Sequence, residues 1–157
     1  MSYRELITGT GELLGIPGMF PDDTGVVTIS NESITVAIGH DESQDRVTVR
    51  GLVGPVSEGC GAGVYRMLLG VNFHLEETKG AALALDADSG DIFLCRSDRV
   101  EGLSVEVFAG LLQDFVNDLA KFRADVEAFA RLAEGTGGSG SKRPAESFFR
   151  PEGVIRG

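Results

Sequence analysis

Two histidines, two cysteines and a few paired acids are the residues with which this chain could do chemistry. Their spacing argues against most of it. His40 sits in a polar stretch, residues 40–45, and reads as a solvated side chain. His74 follows a predicted helix and reads as surface or packing. A metal site built from His74, Cys60 and Cys95 would need a local pair such as CxxC or HExxH, and the chain has neither. Gly59-Cys60-Gly61-Ala62-Gly63 leads into a helix and hints at a phosphate loop. The dinucleotide fingerprint requires GxGxxG directly after a strand of a parallel unit, and a Walker loop requires Lys-Ser/Thr. Neither condition is met, so a loop entering a helix is the better reading. The pairs Asp22-Asp23 and Glu76-Glu77 are adjacent in sequence, so their side chains diverge and make poor acid–base partners. The first pair suits a turn, the second a solvated surface. These residues predict no catalytic centre, no metal and no cofactor.

The elements that would position a site can be read from periodicity. Tyr3–Leu14 predicts a helix with Leu6, Ile7, Leu13 and Leu14 on one face. Gly9 and Gly11 weaken it, each by about 1 kcal/mol relative to Ala. Pro21-Asp22-Asp23-Thr24-Gly25 predicts a turn. Strands follow at 25–30, 33–39 and 46–52, joined by short polar connections, which makes an antiparallel meander. After the Gly-rich loop, residues 64–71 predict a short helix. Val64, Met67, Leu68 and Val71 occupy one face, Tyr65 and Leu69 a second. A helix apolar on two sides needs two covers, and a second copy of the chain can supply one. Two more strands are expected at 82–86 and 92–97. The last signal is the strongest. Val105, Phe108, Leu112, Phe115, Leu119, Phe122, Val126, Phe129 and Ala133 alternate three and four apart. The stripe predicts a helix about 45 Å long at 1.5 Å per residue, with Ser104 as N-cap. Four phenylalanines suit packing across a sheet better than a two-stranded coiled coil. Its acidic side, Asp114, Asp118 and Asp125, reads as the wet face, or as a dock for a basic partner. The fold class is α+β, a twisted antiparallel sheet with three helices in the order αβββαββα.

The whole chain has 157 residues and a net charge of −10. That length supports one domain with its own core. The negative charge disfavours nucleic acid and anionic membrane surfaces. No apolar run is long enough to insert in a membrane, and Glu5 and Glu12 interrupt any N-terminal signal peptide. Two thiols are too few for a disulfide framework and fit a reducing, cytoplasmic setting, although a single bridge stays open. Residues 1–134 form the expected domain. Residues 135–157 begin with GTGGSGS, a flexible linker by composition, and continue into a tail carrying Phe148, Phe149, Val154 and Ile155. The tail is either native or appended, and in both cases its apolar and basic residues on an acidic host make it client-like.

Several local phrases, in order, resemble the class I type III secretion chaperones, the CesT/Tir chaperone family. Leu14-Gly15-Ile16-Pro17 followed by Asp22-Asp23-x-Gly25 is similar to that family's opening "LGIP…DD.G". Leu68-Leu69-x-x-Asn72-Phe73 is similar to its "LL..NF" helix end. Thr78-x-Gly80-Ala81, Leu83-x-Leu85-Asp86 and Gly90-x-Ile92-x-Leu94 resemble its double strand, and the Phe-rich helix from Val105 its last helix. The resemblance spans residues 3–133. Lys79 departs from it, standing where the family usually has a second glycine, as do Gly9, Gly11 and the tail.

The resemblance implies a small, acidic, cytoplasmic bacterial homodimer without catalytic activity. It would bind the N-terminal segment of a secreted effector, keep it extended and deliver it to the secretion apparatus and its ATPase. By the same analogy the client groove lies between the first helix and the first three strands. Leu6, Leu13, Val27, Ile29, Ile34 and Val36 are the candidates, each equally readable as core. Val64, Met67, Leu68 and Val71 are the candidates for the dimer interface, with either helix face open. An extended client can add a strand to a sheet edge. Gly9 and Gly11 would soften the groove wall, so that alanine at both should stiffen it. The competing reading is a non-catalytic adaptor or scaffold dimer of the same fold outside secretion.

Overall fold

The computed structural model describes residues 1–56, 61–74, 76 and 78–134. Cys60, most of the Gly-rich loop, Glu77 and the 135–157 linker and tail lie outside the described residues. The element order is α1 (Tyr3–Leu14), β1 (Val27–Ser30), β2 (Thr35–Asp41), β3 (Arg46–Pro55), α2 (Gly61–Phe73), β4 (Ala82–Leu85), β5 (Asp91–Arg99) and α3 (Val105–Glu134). This is the expected αβββαββα order. The strands form one antiparallel sheet ordered β1-β2-β3-β5-β4.

One face of the sheet carries the core. Val27, Val36, Ile38, Val47, Val49, Ile92 and Leu94 are buried there. Register pairs Ile38 with Val49 and Gly51 with Leu94, so these apolar side chains share the face. The stripe of α3 covers them: Phe108, Leu112, Phe115, Leu119, Phe122 and Val126 are all buried. Gly51 makes the close crossing possible, since a Cβ there would collide with the Leu119 methyls. The ends of α3 hold the other two helices. Val105 lies against Gly9 of α1, and the Phe129 ring against Gly63 of α2.

Both ends of α1 are capped. Ser2 and Glu5 form a capping box, and Gly15 closes the C-terminus at φ 66 with its N–H donated to carbonyls of the last turn. Ser104 caps α3, its hydroxyl accepting from the Val107 N–H at 3.2 Å.

Several expectations need correcting. His40 is not in a polar loop. It is in β2, its ring stacked on Tyr3 with centroids 4.6 Å apart and its Nε2 3.1 Å from Asp45 Oδ1. Pairing of His40 with Val47 and of Asp41 with Arg46 in β3 carries β2 two residues past its expected end. Leu13 does not share the buried face of Leu6 and Ile7; it is 56% exposed, in the last turn beyond the covered stretch. Helix α2 starts three residues early, at Gly61, so that Gly61 and Gly63 of the Gly-rich stretch belong to its first turn. Gly9 and Gly11 are close-packing positions rather than soft ones. A Cβ at Gly9 would lie 2.8 Å from Val105 Cγ2, and one at Gly11 would lie 2.6 Å from Met19 Cβ. Asp114 is not simply wet, since its carboxylate pairs with Lys79 at 2.6 Å.

Candidate functional site

The site grows from the packing of α1 on the first hairpin. Tyr3 pins the start of the helix. Its hydroxyl lies 3.0 Å from the Gly25 carbonyl oxygen and 3.2 Å from that of Ile38, so one proton serves both. Burial, with a smaller effect of Asp22, pushes this phenol well above its ordinary range and keeps it a donor. At the other end, Gly15 reverses the chain. The Ile16 N–H donates to the Gly11 carbonyl at 2.8 Å, and Met19 folds back, buried, against Gly11. The reversal leaves a cavity of about 360 Å³ lined by Thr8, Gly11, Glu12, Ile16, Met19 and Phe20. Phe20 is 57% exposed. An open, mainly apolar hollow with an exposed aromatic suits an aliphatic or aromatic side chain from another molecule.

Asp22 organises the entry to β1. Its Oδ1 accepts from the Thr24 N–H, the Thr24 hydroxyl and the Val26 N–H at 2.8, 2.6 and 3.0 Å. Its own N–H donates to the Val26 carbonyl at 2.8 Å. The Thr24 hydroxyl, followed by the backbone donors, holds the Asp22 carboxyl below its usual value. Asp22 thereby does the turn work expected of it.

Strand β1 is one edge of the sheet. Asn31 donates its N–H to Ile34 at 2.9 Å, so by alternation Ile29 and Val27 bond to β2. The backbone groups of Val26, Thr28 and Ser30 therefore face outward. Asp22 occupies those of Val26. Those of Thr28 and Ser30 look away from the sheet, where no further strand lies among the described residues.

The structure separates the groove candidates. Leu6, Val27 and Val36 are buried in the chain's own core, whereas Ile29 and Ile34 are half-buried against it and Leu13 is exposed. The interface candidates divide in the same way. Val64 and Leu68 are buried, and Met67 and Val71 are half-buried. The second face of α2 is the open one. Tyr65, Leu69 and Phe73, at i, i+4 and i+8, are 40%, 69% and 82% exposed. Phe20 was not singled out by the sequence, and Phe73 entered only as part of the phrase resembling "LL..NF", not as an interface residue. Phe73 stood two residues beyond the predicted helix end, although its spacing from Leu69 continued the stripe.

The described residues hold no group of three His, Cys, Asp or Glu side chains placed to bind a metal ion. Cys95 is a free thiol whose pKa is raised by burial, which makes it a poor nucleophile. No described helix is long and apolar enough to cross a membrane.

Comparison with known structures places the fold. The chain is similar to the solved ExsC–ExsE complex, with a TM-score of 0.67 and 18% identity over 79% of this chain and 96% of that one. It is similar to the HopA1–SchA chaperone–effector complex at 0.66 and 20%, covering 78% and 93%. It is also similar to the Yersinia pestis type III secretion chaperone SycH, solved with a fragment of YscM2, at 0.62 and 16%, covering 77% and 99%. At these identities the likeness establishes the fold. A search of curated protein sequences returned no match. The Tir chaperone protein (CesT) family model, however, matches residues 5–123, and on that match the chain belongs to the CesT family.

Proposed function

We propose that this protein is a cytoplasmic, non-enzymatic chaperone of type III secretion. It binds the N-terminal segment of an effector, holds it extended and delivers it to the secretion apparatus and its ATPase. The observation that carries this reading is an open sheet edge in a CesT-family chain, beside a ready apolar hollow. Thr28 and Ser30 offer outward N–H and C=O groups to an extended segment, which would pair with them as an added strand. Leu13, Phe20, Ile29 and Ile34 offer apolar contact for the client's alternate side chains, while Leu6, Val27 and Val36 support them from within. Many modest contacts of this kind offset the cost of ordering a client without requiring it to fold.

The functional unit we propose is a homodimer. Exposed Tyr65, Leu69 and Phe73 on α2, flanked by Met67 and Val71, form the joining face, with Val64 and Leu68 backing it. An apolar stripe of this kind on an acidic protein is well suited to burial against its own copy. Residues 1–134 are the working domain, and 135–157 are an appendage to it.

A second reading, an adaptor of the same fold outside secretion, has one observation behind it. The chain is also similar to YbjN from E. coli, described as a putative transcription regulator, with a TM-score of 0.54 and 13% identity. Affinity capture from the source bacterium separates the two readings. A dimeric bait that retains a secreted protein through its N-terminal segment supports the chaperone. A bait that retains only non-secreted proteins, or is monomeric, supports the adaptor.

A further inference from the structure

The sheet has two edges, and they are finished differently. Along β4 the backbone groups of Leu83 and Leu85 face outward, as do those of Ala81 just before the strand, since the Asp86 N–H bonds inward to the Asp91 carbonyl at 2.9 Å and strand residues alternate. Both backbone groups of Leu83 are taken by one side chain. Asn72, at the end of α2, accepts the Leu83 N–H at 2.7 Å and donates its amide to the Leu83 carbonyl at 2.8 Å. Only an amide side chain offers a donor and an acceptor in this spacing, as a neighbouring strand would. Both groups of Ala81 are also taken, by Thr78. The Ala81 N–H donates to the Thr78 carbonyl at 2.9 Å, and the buried Thr78 hydroxyl donates to the Ala81 carbonyl at 2.6 Å. Leu85, the last outward residue, has no such partner among the described residues; on β1 the balance is reversed, with Val26 occupied by Asp22 and both Thr28 and Ser30 facing outward.

We propose that Asn72 and Thr78 are specificity-determining residues that lock the β4 edge, so that strand addition is confined to β1. Each protomer then accepts one client strand, at one place. The inference rests on the reading of the chain as a strand-binding chaperone. An unlocked β4 would present a second run of free donors and acceptors, which any extended segment, including another copy of this edge, could pair with. A protein whose work is to hold unfolded chain must offer one edge and deny the other. Asn72, Thr78, Ala81 and Leu83 are four of the positions that carried the family resemblance, and these two contacts give all four a shared role.

The test needs no client, so its failure is distinguishable from failure of the chaperone reading. In the free full-length protein, amide hydrogen exchange should find Ala81 and Leu83 at least about 10-fold more protected than Thr28 and Ser30, the factor expected from one retained hydrogen bond. Equal exchange at the two edges overturns the lock. Asn72→Ala with Thr78→Val should then free Leu83, and sedimentation velocity should detect concentration-dependent species larger than the wild-type protein. Adding Leu85→Lys, which places a charge on the same edge, should restore wild-type size. A double variant with fast Leu83 exchange and unchanged size overturns the proposal. So does association that persists in the triple variant, because it would then arise from a displaced α2. If the double variant does not fold, the wild-type exchange comparison decides alone.

Discussion

Replacing Gly11 by alanine sets two effects of opposite sign against each other. Alanine in a helix interior is better than glycine by about 1 kcal/mol, which stabilises the variant. Against this, the new Cβ would lie 2.6 Å from Met19 Cβ and 3.3 Å from the Ile16 carbonyl oxygen. Carbon pairs rest at about 3.5–4.0 Å. Met19 Cβ cannot swing aside, because the backbone fixes it, and the Ile16 N–H ties that loop to Gly11 itself. Relief therefore requires the 15–19 reversal to move. Overpacking of this kind costs about 1–3 kcal/mol, so the net change is a loss of up to about 2 kcal/mol. Gly9→Ala differs, because its obstacle is a methyl of half-buried Val105 that can rotate, and it should be close to neutral. Urea unfolding reads the difference. With a slope of about 2 kcal/mol/M, a loss of 1 kcal/mol lowers the Gly11→Ala midpoint by about 0.5 M at unchanged slope. A softening role for the glycines predicts the reverse, with both variants stabilised by about 1 kcal/mol. A raised Gly11→Ala midpoint would refute the packing argument. Because the same loop lines the 360 Å³ hollow, the variant should also lose client affinity.

Other outcomes follow from the same geometry. Thr28→Pro should fold normally, since its N–H faces away from β2, yet weaken client binding about 10-fold in a titration by removing one edge donor. Leu69→Glu with Phe73→Glu should convert the proposed dimer to monomer by sedimentation without changing the circular dichroism spectrum. The Asp22 carboxyl is held below its ordinary value of 3.8 by the Thr24 hydroxyl and the Val26 and Thr24 N–H groups. Its contribution is full above that value and is lost as pH falls through the depressed one. Urea midpoints measured between about pH 6 and about pH 2 should therefore fall less steeply for Asp22→Asn than for wild type. Asp118 is shifted the other way, raised chiefly by desolvation, so its charge opposes folding at neutral pH. Asp118→Asn should leave the midpoint there unchanged or slightly raised.

The sequence made the fold legible where periodicity and punctuation agreed. The 3-4 stripe from Val105 located α3, and Gly15-Ile16-Pro17 closed α1 at Leu14. Where tertiary contacts decide, it was silent. Nothing local marks His40 as a strand residue, because its place is set by stacking on Tyr3, 37 positions away. Nothing local distinguishes a glycine that loosens a helix from one that lets Met19 approach. Lys79, the departure from the family's glycine, adopts φ 50, so the backbone there keeps the conformation a glycine would supply freely. Of the candidate groove, the residue types were readable and their exposure was not. Alternation gives Val27 and Ile29 the same face, and only the helix lying over them buries one and leaves the other half-open. Edge finishing was also invisible, since the contact of Asn72 with Leu83 spans 11 residues of chain.

The position of α3 after all five strands has a consequence for synthesis. The inner sheet face, with Val36, Val47, Val49 and Leu94, is complete once β5 has been made, but its cover is encoded last. During translation, at about 5–20 residues per second, the ribosome-bound chain passes through an interval in which its core surface is bare. For that interval the protein is in the condition from which it would protect its clients. Release of α3 from the exit tunnel closes the surface, so folding of this domain waits for its last described element rather than beginning with its first. Stalled chains ending before Val105 should accordingly be protease-sensitive, and chains that have released Glu134 resistant; early resistance would contradict this order.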